Sequence, residues 1–255
     1  MAATFVSYAQ NFEDVMLSRA LRDVDGGFWI DVGADDPDTL SVTRAFAERG
    51  WRGINVEPLP DRHARFVARR PRDTNACVLV GSAPGKRRFW RFGTVDSGCS
   101  TMDAIVAARH VRAGRRPTAE WDVDVTTVDA LCDRHAPPDI HFLKVDVEGA
   151  EEEVFAGMAL DHHRPWIIVA ESVVPGSQDP SHAVWEPLLT GRGYSFVYGD
   201  GLNRFYLAAE HDDLRTAFAT PPNVFDGFRL SGCRHQVGMA GRGKGWWRWL
   251  GRRSA

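Results

Sequence analysis

Short apolar runs that stop on glycine or an acidic residue, each followed by a helix-length amphipathic segment, constrain this chain more than any other feature. After Gly26 and Gly27, Phe28-Trp-Ile-Asp-Val32 reads as a buried strand that ends in Gly33-Ala34-Asp35-Asp36-Pro37. Residues 41–49 then read as a helix, with Val42, Ala45 and Phe46 on one face and Gly50 as its stop. A second strand is predicted at Gly53–Glu57, a helix over 60–70 and a third buried strand at Asn75–Val80. Strands alternating with helices of about 10–15 residues imply βαβ units and a parallel sheet.

Residues 86–121 break that rhythm. Arg88–Phe92 and Trp121–Thr126 alternate as antiparallel strands would, residues 96–101 read as a turn-rich loop, and residues 103–116 read as a polar helix. The βα pattern resumes with a strand at Ile140–Val147, a helix at Glu148–Met158, a strand at Trp166–Glu171 and a helix at Ala183–Arg192. Tyr194–Tyr198 and Asn203–Leu207 are separated by too few residues for a crossover helix, so they are expected to pair antiparallel. The 255 residues therefore suit one α/β domain, residues 1–226 with an insertion at about 84–125, followed by a tail over 227–255.

The formal charge of −3 divides unevenly, as −9 over residues 1–225 and +6 over 226–255. An acidic body excludes nucleic acid as the main partner, because phosphate binding needs a basic face. No apolar run approaches the roughly 20 residues of a membrane span, and the N-terminus lacks the basic-then-apolar order of a secretory signal. Four dispersed cysteines without a CxxC pair disfavour a zinc site or a disulfide framework, and reduced thiols in a cytoplasmic protein are expected. In the tail, Trp246–Arg253 sets arginine beside tryptophan, a composition suited to peripheral contact with an anionic membrane.

In an open α/β sheet ligands bind beyond the carboxyl ends of the strands. Gly33 there lets backbone approach a ligand, and the Asp31 carboxylate can hold an ammonium or a hydroxyl. Glu57 ends the second strand 24 residues after Gly33, a position suited to ribose hydroxyls. The G-x-G-x-x-G pattern of dinucleotide sites is missing, and two acidic residues in the turn disfavour a pyrophosphate; a cationic adenosine ligand, S-adenosylmethionine, fits better. Asp146 shares a strand side with Lys144, Glu148 lies just beyond it, and Glu171 ends the next strand. Such carboxylates can serve as a base, bind hydroxyls, or hold Mg²⁺ or another divalent ion through Asp146 and Glu171. His141 is expected to be a packed side chain, and Glu151, Glu152 and Glu153 to favour the first turn of a helix electrostatically.

Taken together, Ser7–Asp14, Ile30–Ala34 with Pro37 and Ser41–Thr43, Gly50–Pro58, Phe142–Glu151, Arg164–Trp166, Asp200–Tyr206 and Asn223–Asp226 resemble the FkbM family of S-adenosylmethionine-dependent methyltransferases. The resemblance covers nearly the whole body. It implies a Rossmann-like class I methyltransferase fold, a seven-stranded mainly parallel sheet with an antiparallel C-terminal hairpin, and O-methylation of a hydroxyl. It also implies that Asp31, Gly33 and Ala34 lie along the methionine part of the cofactor, Glu57 on its ribose and Ser82 near its adenine. Gln10, Pro37, Ser41 and Asp146 count among the cofactor contacts as well, and Asp146, Glu148 and Glu171 are the candidates to hold or deprotonate the acceptor. Cys99 stands where leucine is more usual. The start at Asn11–Asp14 and the ending at Pro221–Asp226 resemble methyltransferases that accompany glycan assembly, which implies a sugar hydroxyl as acceptor. A polyketide-type acceptor is the alternative within the family, and a nicotinamide-dependent oxidoreductase or a non-catalytic membrane- or partner-docking protein the alternatives outside it.

Overall fold

The computed structural model describes residues 4–93, 99–232 and 236–237. A short strand β1 (Phe5–Ser7) and helix α1 (Glu13–Ala20) precede the alternating units β2 (Phe28–Val32), α2 (Arg44–Glu48), β3 (Arg52–Val56), α3 (Pro60–Arg69) and β4 (Thr74–Ala76). The inserted stretch holds β5 (Leu79–Val80), β6 (Gly85–Phe92), α4 (Ala104–Arg112) and β7 (Pro117–Thr126). Then follow α5 (Val128–His135), β8 (Phe142–Val145), α6 (Glu151–Ala156), β9 (Ile167–Glu171) and α7 (Glu186–Thr190). The hairpin β10 (Tyr194–Gly199) and β11 (Asn203–Ala208) comes next, with β12 (Phe228–Leu230) and β13 (Gln236–Val237) last.

The central sheet is mostly parallel, in the order β10-β11-β9-β8-β2-β3-β4, with β11 antiparallel to both of its neighbours. Because side chains alternate along each strand, the sheet buries two different faces. Trp29, Phe142, Ile167 and Phe205 meet Met16 and Leu17 of α1 and Phe46 of α2 on one side. Ile30, Leu143, Ile168 and Tyr206 meet Leu131 of α5, Phe155 of α6 and Leu189 of α7 on the other. Helices cover both faces, and each of these large side chains stabilises the fold by about 1.5–3 kcal/mol.

Two smaller sheets flank this one. The inserted stretch forms a sheet in the order β5-β7-β6, so Arg88–Phe92 and Trp121–Thr126 do pair antiparallel. The third sheet is β1-β12-β13, in which β1 and β12 run parallel and bury Phe5, Val15, Ala45 and Phe228 together. The expected boundary after residue 226 therefore falls just before a paired strand; residues 238–255, with the tryptophan-rich segment, lie outside the described residues. Among the described residues no helix is long and apolar enough to cross a membrane.

Several elements differ from their sequence expectations for local reasons. Asn75–Val80 is two strands in different sheets, since the chain leaves β3 at Ala76 and joins β7 at Leu79. The helix expected from Glu148 begins at Glu151, because Glu148 (φ 55°) and Gly149 (φ 97°) are both left-handed. Helix 183–192 is divided at Trp185, with Pro187 opening α7. Helix α5 adds to the elements expected from sequence: Thr127 caps it by accepting from the Ala130 N–H, and Val128, Leu131 and Cys132 form its buried face.

The Ser7–Asp14 segment is a folded-back cap. Asp14 is fully buried and accepts hydrogen bonds from the Ser7 hydroxyl (2.7 Å) and the Tyr8 N–H (2.7 Å). Glu13 accepts from the Asn203 amide (2.8 Å), which ties α1 to β11. His141 is a packed side chain: its Nδ1 accepts from the Phe28 N–H at 3.0 Å, and its ring lies against Trp51 and Trp166.

Gly53 pairs with Trp29 across β2 and β3, and a Cβ there would overlap the Trp29 indole ring. Gly53→Ala is expected to cost about 1–3 kcal/mol. The check is a urea melt, in which the midpoint falls while the slope stays unchanged.

Candidate functional site

The carboxyl ends of β2, β3 and β8 open into a cavity of about 340 Å³. Gly33 sits at its floor with φ 81°, and a Cβ there would overlap the carbonyl oxygen of Asp146. The absence of a side chain lets the ends of β2 and β8 converge, with the Asp146 N–H donating to the Val32 carbonyl at 3.0 Å. Gly33 and Ala34 donate to the Val56 carbonyl at 3.1 and 3.0 Å, which fixes the same turn to β3. The strand order thus sets Asp146, Asp31 and Glu57 in sequence along the cavity.

Asp31 is 2% exposed, and its Oδ1 has no hydrogen-bond partner. Burial raises its pKa, as does Asp146, while Lys144 and Arg70 oppose the rise. Lys144 is buried as well; burial disfavours its charge, but the Asp146 and Asp31 carboxylates more than compensate and raise its pKa. Its Nζ lies 3.0 Å from Asp146 and 3.9 Å from Asp31.

Both oxygens of Glu57 are held by backbone: Oε2 accepts from the Asp35 N–H (2.9 Å) and Oε1 from the Leu59 N–H (2.8 Å). Burial nevertheless lifts its pKa to about 8. Burial and the neighbouring Asp146 bring Glu148 to about 8 too. Glu171, at the end of β9, is pushed up to about 10 by burial and by Asp146, Glu148 and Glu151, and its Oε2 has no partner. Glu151 closes the loop before its helix, accepting from the Val147 and Gly149 N–H groups at 3.2 Å each.

Of the residues singled out in the sequence, Gln10, Asp31, Gly33, Ala34, Ser41, Glu57, Asp146 and Glu148 all line this cavity. Pro37, Ser82 and Glu171 do not line it. The Pro37 carbonyl accepts from Arg70 (2.6 Å). Ser82 belongs to a neighbouring cavity of about 290 Å³, where its hydroxyl donates to Glu153 at 2.6 Å. The acidic turn is less negative than its sequence: Asp35 pairs with Arg62 and Asp36 with Arg65 on α3. Charge in that turn therefore does not oppose a pyrophosphate, and the missing glycine pattern alone argues against a dinucleotide.

Leu59, Leu79, Phe89 and Met102 form an apolar wall of the site that is absent from the sequence expectation. Phe89 and Met102 come from the insertion, where the only sequence signal is the alternation around Phe89. Among the described residues no group of three His, Cys, Asp or Glu side chains is placed to hold a metal ion. Of the two carboxylates expected to hold a divalent ion, Asp146 lines the cavity and Glu171 does not.

A mostly parallel sheet with a cavity over its carboxyl ends is the open α/β arrangement, in which ligands bind at that end of the strands. Residues 31–196 match the methyltransferase FkbM domain, and the chain belongs to this family of methyltransferases. No curated protein matches it in sequence. Two solved structures are similar at low identity. The precorrin-6y C5,15-methyltransferase of Geobacter metallireducens GS-15 is 13% identical with a TM-score of 0.38, over 81% of this chain and 92% of that one. An O-methyltransferase of Bacillus cereus in complex with SAH is 14% identical with a TM-score of 0.38, over 80% and 81%.

Glu57, Glu148 and Glu171 all bind protons more tightly in the folded chain than at their ordinary 4.5. Their contribution to stability is full below that value and is lost as pH rises through about 8 and about 10. Urea stability without ligand is expected to fall less between pH 6 and pH 9 in Glu171→Gln than in the wild type. Equal losses would remove the assignment to Glu171.

Proposed function

We propose that this protein transfers a methyl group from S-adenosylmethionine to a hydroxyl of a sugar, in a glycan or a glycosylated small molecule. The observation that carries the reading is the orphaned Oδ1 of Asp31, a buried carboxylate oxygen on the cavity wall that awaits a cationic donor. The cofactor's α-amino group has that chemistry. Glu57 keeps free lone pairs for ribose hydroxyls after accepting its two backbone N–H groups. Leu79, Phe89 and Met102 offer an apolar surface to an adenine ring.

When bound, S-adenosylmethionine supplies a sulfonium methyl that is already activated. The chain's own residues then have two tasks, to align an acceptor oxygen and to take its proton. Asp146 and Glu148 line the cavity and present carboxylate oxygens that accept from hydroxyl groups, which suits a polyhydroxylated acceptor. Glu148 is the better proton acceptor, because Asp146 is already hydrogen-bonded to Lys144. A base whose pKa lies near the working pH is also the more effective one. Glu171 lies outside the lining and carries its proton at neutral pH, so it supports the acidic cluster from behind.

Glu57→Ala is expected to weaken S-adenosylhomocysteine binding about 10- to 100-fold in calorimetry, the worth of two hydrogen bonds. Unchanged affinity would end the ribose assignment. Glu148→Gln is expected to lower kcat by roughly 100-fold or more, and the wild-type rate to rise as pH passes about 8. A Glu148→Gln enzyme with wild-type turnover would move the base elsewhere. The acceptor class is tested by mass spectrometry of sugar and polyketide panels incubated with S-adenosylmethionine; methylation of polyketides alone would overturn the sugar reading.

A further inference from the structure

We infer that Lys144 is a positioning residue of the methyl-donor site, whose ammonium group holds Asp31 charged for the cofactor's amine while leaving the receiving oxygen unoccupied. The inference rests on the S-adenosylmethionine reading given above.

Register places Lys144 on β8 directly opposite Asp31 on β2, with both side chains on the same face of the sheet. The ammonium makes a 3.0 Å hydrogen bond to Asp146 and stands 3.9 Å from Asp31 Oδ1. The second distance decides the matter. It is short enough for strong Coulomb attraction in a buried setting, and too long for a hydrogen bond. Asp31 Oδ1 therefore has its charge balanced without its lone pairs being used. An oxygen hydrogen-bonded to its own lysine would receive an incoming ammonium less well, with a lone pair taken and like charge in contact; one with no cation nearby would take up a proton instead.

The surroundings leave few other sources of that balance. Facing Asp31 are Lys144, the like-charged Asp146, Arg70 at the end of α3 and the Thr43 hydroxyl before α2. Arg70 donates from Nη2 to the Pro37 carbonyl, and its Nη1, which has no hydrogen-bond partner, lies 3.9 Å from Asp73. Facing Lys144 are Asp31, Asp146 and, from α1, Glu13; Glu148 and Glu171 feel its charge from the ends of β8 and β9. One ammonium thus serves several carboxyl groups, and Asp146 fixes where it stands.

The test is isothermal titration of S-adenosylhomocysteine into the full chain, wild type against Lys144→Met and Lys144→Arg. Titrations at pH 7 use two buffers of different ionisation enthalpy, and all three proteins are first compared in thermal melts. Lys144→Met is expected to bind at least tenfold more weakly and to release about one proton more per binding event than the wild type, the gap closing at pH 9. Lys144→Arg keeps the charge and is expected to restore the wild-type proton count. Wild-type affinity and proton release in Lys144→Met would overturn the inference. Weak binding with no extra proton would also overturn it, leaving Lys144 a purely structural residue. Should Lys144→Met not fold, Lys144→Gln is judged by the same two quantities. A wild type that fails to bind S-adenosylhomocysteine overturns the cofactor reading, and this inference with it; a binding wild type with an unchanged variant overturns this inference alone.

Discussion

The ends of β2 and β8 meet because Gly33 has no side chain, and the rest of the site is a consequence of that contact. Any larger residue would push Asp146 away from the turn after β2. With the two ends together, a carboxylate from each strand comes within reach of one lysine, and the cavity takes its floor from backbone. The glycine acts here less by admitting a ligand than by admitting a neighbouring strand. That is why this position takes a glycine with a positive φ, although a turn alone could be made in other ways.

Burying carboxyl groups is costly, and this protein buries several around a single ammonium. The cost is limited in two ways. Some groups are cradled by backbone N–H donors, as with Glu57, Glu151 and Asp14. Others sit where their charge is suppressed, as with Glu171. The negative charge of the body, visible in composition, has its functional part concentrated in these few groups.

Much of the architecture was legible because strand and helix periods differ, and Gly or Pro punctuates nearly every change. Asp31, Gly33, Glu57 and Asp146 were legible for a related reason: they end strands, and strand ends in a parallel sheet face one place. What escaped was whatever depended on contacts distant in sequence. The break between Ala76 and Leu79 depends on which sheet each half joins. The delayed start of α6 depends on two left-handed residues, only one of them glycine. Phe89 and Met102 read as ordinary residues of an insertion, and nothing local says that they wall a cavity built by other strands. The pairing of Asp35 and Asp36 with α3 is also a long-range fact, and it reversed an argument that rested on charge counting.

The small sheet joining β1 to β12 has a bearing on the order of folding. Gln10 on the cavity wall follows β1 by only a few residues, and β1 is held by a strand near residue 230. Asn11 and Glu13 are likewise secured by Asp200 and Asn203. The segment that carries Gln10 is therefore fixed by residues distant in sequence, at 200–203 and 228–230. Long sequence separation of this kind slows the closing step of folding, and it makes the placing of Gln10 in the cavity a late event.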